Sequence, residues 1–330
     1  MASALVGHYR AVLIQRAGPV SASPNDLAFP ITYFPYPRMS ESRGTSRDLR
    51  GLAFAKMTGS GNDFVFFDGR ESDVQHVMQP DAIVAICNRH NGIGADGVVV
   101  LEPSAPLTAA PSQSGFDATI HYFNSDGSPA DLCGNATLCS TVMAASLGFG
   151  APEGMTLATP AGLIRSRLSH MLPEIDLQPV STVLTDIDIA PASGESRIGF
   201  AVAGIPHLVV LTTDAEQIDV AARGPMLRWH ERAGATGANV NWVSAMPDGR
   251  WRYRTFERGV EGETLACGTG AVATAILLTA WGLASSPVTI RTSSGRDLVV
   301  HLTHRDHQWL PTLRGEGRVV FRGRIGDLNL

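Results

Sequence analysis

One short pattern occurs twice in this chain of 330 residues. Cys133-Gly134-Asn135-Ala136-Thr137 leads into an apolar run over 138–147 that stops at Gly148, and Cys267-Gly268-Thr269-Gly270-Ala271 leads into a second run over 272–281 that stops at Gly282. An apolar run of this length, entered through small polar residues and closed by glycine, predicts a helix buried all round. The two copies lie about one domain length apart. Each buried helix must be wrapped by other elements, so the chain is expected to fold as two similar halves, each built on one central helix.

The flanking segments supply the wrapping. Phe64-Val65-Phe66-Phe67 before Asp68-Gly69 reads as a buried strand and turn, 98–101 and 119–123 as further strands, and 81–90 as a short helix ended by Asn91-Gly92. Residues 155–168 predict a hairpin about Pro160-Ala161-Gly162, and 238–256 another about Pro247-Asp248-Gly249. The stretch 288–325 reads as strands with turns at Ser294-Gly295 and Arg314-Gly315.

Charge and composition remove several classes of function. The sequence has a single lysine, Lys56, so a Schiff-base lysine for pyridoxal phosphate or a P-loop lysine would have to be that residue, and Ala55-Lys56-Met57 suits neither. A net charge of −5 gives no electrostatic footprint for nucleic acid or an anionic membrane. No window approaches the ~18 consecutive apolar residues of a membrane span. Four cysteines are too few and too scattered for a secreted disulfide framework, which points to free thiols in the cytoplasm.

A cysteine where a helix begins sits beside unpaired backbone amides at the positive end of the helix dipole, which favours thiolate. The glycine after each cysteine lets a ligand approach the backbone, and the free amides of two facing helices could grip a carboxylate. If the halves face each other, one thiolate and one thiol lie on opposite sides of a bound small molecule. They could take a proton from one face of a carbon and return one to the other, which is racemisation by general acid–base catalysis. A zinc site using Cys133 and Cys139 with His90 or His121 is the competing reading. Cys-x5-Cys is an unusual spacing for it, and six helical positions separate those sulfurs by ~9 Å of rise. Cys87 and Cys139, inside apolar runs, are expected to be core.

With these residues in view, the sequence resembles the diaminopimelate epimerases, cofactor-independent amino-acid epimerases that use two cysteines. Lys56-Met57-Thr58-Gly59-Ser60-Gly61-Asn62-Asp63-Phe64 is similar to the family's N-terminal signature and Gly92-Ile93-Gly94-Ala95-Asp96-Gly97 to the following loop. Asn124-Ser125-Asp126-Gly127-Ser128 through Cys133-Gly134-Asn135 resembles the first cysteine motif. Gly204-Ile205-Pro206-His207, Asn239, Glu257-Arg258-Gly259 and Glu263-Thr264-Leu265-Ala266-Cys267-Gly268-Thr269-Gly270 complete the set.

The resemblance implies an α+β fold of two pseudo-symmetric domains, each a curved, mostly antiparallel sheet around a central helix. It assigns 51–176 with 313–330 to the N-terminal domain and 177–312 to the C-terminal one. Residues 1–50, with six arginines against three acids, are expected to lie outside the catalytic fold. It makes Cys133 and Cys267 the paired acid and base. Asn62, Asn124, Asn239 and Arg258 would contact the substrate's distal groups, while the amides of Gly134, Asn135, Gly268 and Thr269 would hold the carboxylate at the reacting centre. Glu257 and His207 would flank the site.

The implied reaction interconverts LL- and meso-diaminopimelate without metal or pyridoxal phosphate. The expected partner is a small amino-acid substrate, with neither nucleic acid nor membrane, and a homodimer is compatible. Three positions depart from the family pattern. Ile205 replaces asparagine in Gly-Asn-Pro-His, and Ala136 and Leu138 replace glycine and arginine after the first cysteine. Lost polar contacts at these positions are expected to weaken diaminopimelate binding or to shift the enzyme to another amino acid.

Overall fold

The computed structural model describes residues 48–71, 74–104, 115–130 and 133–328. The expectation for 1–50 therefore falls, apart from 48–50, outside the described residues. The first half runs β1 (Ala53–Gly59), β2 (Asn62–Asp68), α1 (Val74–Val77), α2 (Pro80–Cys87), β3 (Gly97–Pro103), β4 (Ala118–Asn124) and α3 (Gly134–Leu147). It ends with β5 (Met155–Thr159), β6 (Gly162–Ser169), β7 (Leu172–Asp176) and the short β8 (Val183–Leu184). The second half follows a similar order, with one α-helix in place of two and an added strand before the central helix: β9 (Glu195–Ala203), β10 (Ile205–Thr212), α4 (Val220–Arg228), β11 (Asn239–Ala245), β12 (Trp251–Glu257), β13 (Gly262–Thr264) and α5 (Gly268–Ala280). It closes with β14 (Val288–Arg291), β15 (Asp297–Arg305), β16 (Gln308–Arg314) and β17 (Arg318–Arg324).

Strand pairing repeats with the order. Adjacent strands are mostly antiparallel, and the parallel pairs fall at matching places: β2 with β3 and β4 with β5, then β10 with β11 and β12 with β14. Each half ends on a strand that pairs with the opening strand of a half other than its own. β8 lies against β9, and β17 lies against β1, where Phe54 pairs with Gly323. β16 also pairs with β7, so the last strands stitch the halves together.

The all-apolar strands are explained by two covered faces. In β2 the residues alternate: Phe64 and Phe66 join Ala136, Cys139 and Met143 of α3, while Val65 and Phe67 meet Ile83 and Ile86 of α2. The second half does the same, with Val209 and Val243 against α5, and Leu208, Val210 and Trp242 on the other face with Leu227 of α4. Both central helices are buried as their composition requires. Gly148, in the left-handed region at φ 72°, ends α3 at a position costly for any residue with a Cβ.

Candidate active site

Both cysteines occupy the residue immediately before a central helix. Cys133 (φ −130°, ψ 116°) is the N-cap of α3, and Cys267 (φ −130°, ψ 113°) is the N-cap of α5. Thr137 N–H bonds Cys133 O at 2.9 Å and Ala271 N–H bonds Cys267 O at the same distance, which leaves the first amides of each helix free to face a ligand. The two helix ends abut. A Cβ built on Gly134 would lie 3.5 Å from the Gly268 Cα, so the small residue after each cysteine lets the backbones meet.

A cleft of about 1660 Å³ opens over this junction, lined by both cysteines, Gly134, Asn135, Gly268 and Thr269. Asn62, Asn124, Glu257 and Arg258 line it as well. Asn62 is brought there by the β1–β2 turn, which is pressed against the second half where the Ser294 hydroxyl donates to the Ser60 carbonyl at 2.6 Å. Two expected residues lie elsewhere. Asn239 and His207, backbone neighbours on β11 and β10, are buried and do not line the cleft. Asn239 instead donates to the Cys267 sulfur at 3.7 Å and accepts from the Arg258 backbone N–H at 2.9 Å, bracing both residues from behind. The His207 ring faces the Asn241 amide at 3.3 Å.

The electrostatics of the thiols differ from the expectation based on helix dipoles. Burial, aided by the Glu257 charge, pushes the Cys133 pKa up to about 11, against the opposing pull of the Ala136 and Asn135 amides and the Tyr122 hydroxyl. Burial, and then the neighbouring Glu257 charge, hold Cys267 well above the ordinary thiol value, with Thr269 and the Gly270 amide pulling down. The amides act as expected, but loss of water outweighs them. The Glu257 carboxyl is itself raised by burial, tempered by donors from Thr264 and Cys267. His207 is lowered to about 3, by burial and then by the Arg258 charge, so it is neutral at physiological pH.

Comparison with known proteins matches this sequence to a family. Residues 54–181 and 200–320 fit the sequence profile of "Diaminopimelate epimerase". A diaminopimelate epimerase of Gemmatimonas aurantiaca is 62% identical over 286 residues, covering 84% of this chain and 100% of that protein. This chain belongs to the diaminopimelate epimerase family. Another member, from Aquifex aeolicus, is 34% identical over 285 residues, with 84% of this chain and 98% of that protein covered. Solved structures share the fold at low identity. A hydroxyproline epimerase from Agrobacterium vitis has a TM-score of 0.61 at 20% identity, over 83% of this chain and 92% of that one. A PhzF-family phenazine biosynthesis protein from Bacillus anthracis has a TM-score of 0.63 at 12% identity, over 84% and 99%.

Within the family frame, the three departures separate. Leu138 is fully buried with Ile175 and Leu313, and Ala136 packs with Phe64 and Met143, so neither faces the cleft and neither removes a contact there. The expectation of a depleted pocket is corrected to one position, Ile205, which does line it. Sequence reasoning missed Tyr122, whose ring lines the cleft beside Cys133, and Asn241. Asn241 Oδ1 accepts from Tyr253 Oη at 2.8 Å and Thr255 Oγ1 at 3.0 Å, while its Nδ2 donates to the Leu208 carbonyl at 2.9 Å. Asn241 follows Asn239 by two on one strand, so both point to the same face, and that alternation was the available signal. Among the described residues no group of three or more His, Cys, Asp or Glu side chains converges as a metal site would require, and no helix is long and apolar enough to cross a membrane.

Proposed function

We propose that this protein is an isomerase that interconverts LL- and meso-diaminopimelate by moving a proton between the two faces of Cα. The carrying observation is the pair of N-cap cysteines, Cys133 and Cys267, at two helix ends that touch through Gly134 and Gly268. A substrate carboxylate placed on the helix-end amides of Gly134, Asn135, Gly268 and Thr269 would set Cα between the thiols. One sulfur, as thiolate, takes the Cα proton. The electron pair left on carbon is drawn towards the carboxylate, whose developing charge the helix-end amides stabilise. The opposite thiol delivers its proton to the other face, and the protonation states of the two sulfurs are exchanged.

The reverse reaction exchanges the roles. Burial and the Glu257 charge raise both thiols, so either can serve as the proton donor. Asn124 and Arg258 would bind the distal ammonium and carboxylate, Asn62, held between Asp96 and Asn135, would serve the reacting end, and Asn239, with His207 beside it on β10, would support Cys267 and Arg258 from the layer behind. The reaction needs no electron sink beyond the carboxylate. Lys56, the only lysine, is taken up by Asp63 Oδ2 at 2.7 Å and by the Gly94 carbonyl, which speaks against a Schiff-base role. The four free cysteines suit a reducing compartment, and this reading places the enzyme in the cytoplasm.

The test is loss of the Cα–H signal of LL-diaminopimelate in deuterium oxide, followed by NMR under reducing conditions. The wild type is expected to exchange and epimerise it, with Cys133→Ser and Cys267→Ser each slower by at least ~100-fold. Exchange into some other amino acid but not into diaminopimelate overturns the substrate, and unimpaired cysteine variants overturn the mechanism.

A further inference from the structure

We infer that Asp96 is a positioning residue that fixes which way the Asn135 amide faces, and so presents the Asn135 carbonyl oxygen to the substrate's α-ammonium group. This rests on the proposed reaction for its substrate and deepens it. Asp96 ends the Gly92-to-Gly97 loop between α2 and β3, and its carboxylate is an acceptor at three points. Oδ2 takes the Asn62 Nδ2 donor at 3.1 Å and the Asp63 backbone N–H at 3.2 Å, and Oδ1 takes Arg89 Nη2 at 2.6 Å.

A chain of forced choices starts there. A carboxylate in this role only accepts, so the Asn62 side chain must turn its NH2 towards Asp96. Its oxygen then faces Asn135, and Asn135 Nδ2 donates to it at 2.6 Å. Asn135 has one polar atom left, Oδ1. That oxygen is buried in a residue only 2% exposed, has no hydrogen-bond partner, and would lie 3.8 Å from a Cβ on Gly268, at the junction of the two helices. A buried acceptor without a donor calls for a ligand that brings one. An amino acid whose carboxylate sits on the helix-end amides carries its ammonium one carbon away, with three N–H donors and no acceptor.

Reversal of either amide would aim an NH2 at that ammonium instead. Asp96→Asn permits the reversal, because an asparagine can donate as well as accept. The expected result is a KM for diaminopimelate raised about tenfold or more with kcat changed much less, as for lost uniform binding. Pimelate, the same chain without either ammonium, should inhibit the wild type and Asp96→Asn equally. Adding Asn62→Asp to Asp96→Asn returns a group that only accepts to the position facing Asn135, and is expected to recover most of the lost KM. An unchanged KM in Asp96→Asn, parallel weakening of pimelate, or a double variant no better than the single one would each overturn the inference. If the wild type proves to exchange another amino acid, the same comparison is made with that compound and its deaminated analogue, so the substrate assignment can fall while this inference stands.

Discussion

Gly134 and Gly268 face each other where the central helices begin, but their surroundings are unequal. A Cβ on Gly268 would stand 3.0 Å from Leu313 Cδ2 and 3.4 Å from the Gly134 Cα, whereas a Cβ on Gly134 would find both Leu313 Cδ2 and Gly268 at 3.4–3.5 Å. Leu313 is fully buried and has little room to yield. Gly268→Ala should therefore spread the helix ends by a few tenths of an ångström and carry one thiol out of line. Because catalysis is steeply sensitive to such displacements, kcat is expected to fall roughly tenfold in Gly268→Ala and by less in Gly134→Ala. Equal effects of the two substitutions on steady-state rates would show that the contact does not set the distance between the thiols.

Gly270 makes a different contact. Its added Cβ would lie 2.3 Å from the Tyr253 hydroxyl and 2.4 Å from Asn241 Oδ1, in a fully buried network that has no slack. Gly270→Ala must break the Tyr253–Asn241 hydrogen bond or displace α5. Leaving buried polar groups unpaired costs about 1–3 kcal/mol each. For two such groups in a protein of this size that corresponds to a fall in Tm of roughly 3–10 °C, measurable by calorimetry or circular dichroism. A smaller shift than in Gly134→Ala would refute the network's structural role.

The central helices, the hairpins turning near Gly162, Gly249 and Gly295, and the place of the two cysteines at the helix starts were legible because their signals are local: apolar runs, turn residues and Cys-Gly steps. Other features were not. The hairpin turns at His170-Met171 and Asp306-His307 place both residues at positive φ (50° and 66°, 49° and 60°) without a glycine, so no residue marked them. Asn239 was legible as important but not as buried, since nothing in one sequence tells a cleft-facing amide from one that supports a thiol from behind. Leu138 looked like a change in the pocket because it stands in a catalytic motif, yet five positions beyond Cys133 the helix has turned that side chain into the core. Asp96 lies inside the Gly92-to-Gly97 motif, but the role inferred for it depends on Asn62 and Asn135, distant in sequence, coming together.

His207 gives the fold a dependence on acid. Its pKa is about 3 in the folded protein against an ordinary value of 6.5, because burial and the Arg258 charge exclude the imidazolium. Stability from this residue is full above about pH 6.5. It is lost as pH falls towards 3, where the unfolded chain takes up a proton that the folded chain refuses. Tm measured from pH 7 to pH 4 should decline, and His207→Gln should flatten that decline by the equivalent of about one proton. Activity should show no inflection near 6.5 from this residue. A Tm–pH slope identical in wild type and His207→Gln would refute the buried neutral histidine.

Ile205 is the one departure from the family pattern that reaches the cleft. It opens β10, two residues before the buried His207, and it presents an alkyl group where the family usually has an amide. If diaminopimelate is bound with its distal polar groups on this side, Ile205→Asn supplies a missing hydrogen-bond partner, worth about 0.5–1.5 kcal/mol net. That corresponds to a KM lowered roughly 2- to 10-fold with kcat little changed. The substitution replaces a half-buried side chain at a strand end and should leave Tm within about 2 °C. A KM that rises instead would mean that the alkyl group is itself part of the substrate pocket. The same variant would then be expected to lose affinity for aliphatic dicarboxylates such as pimelate, whose methylene chain would be the group that packs against Ile205.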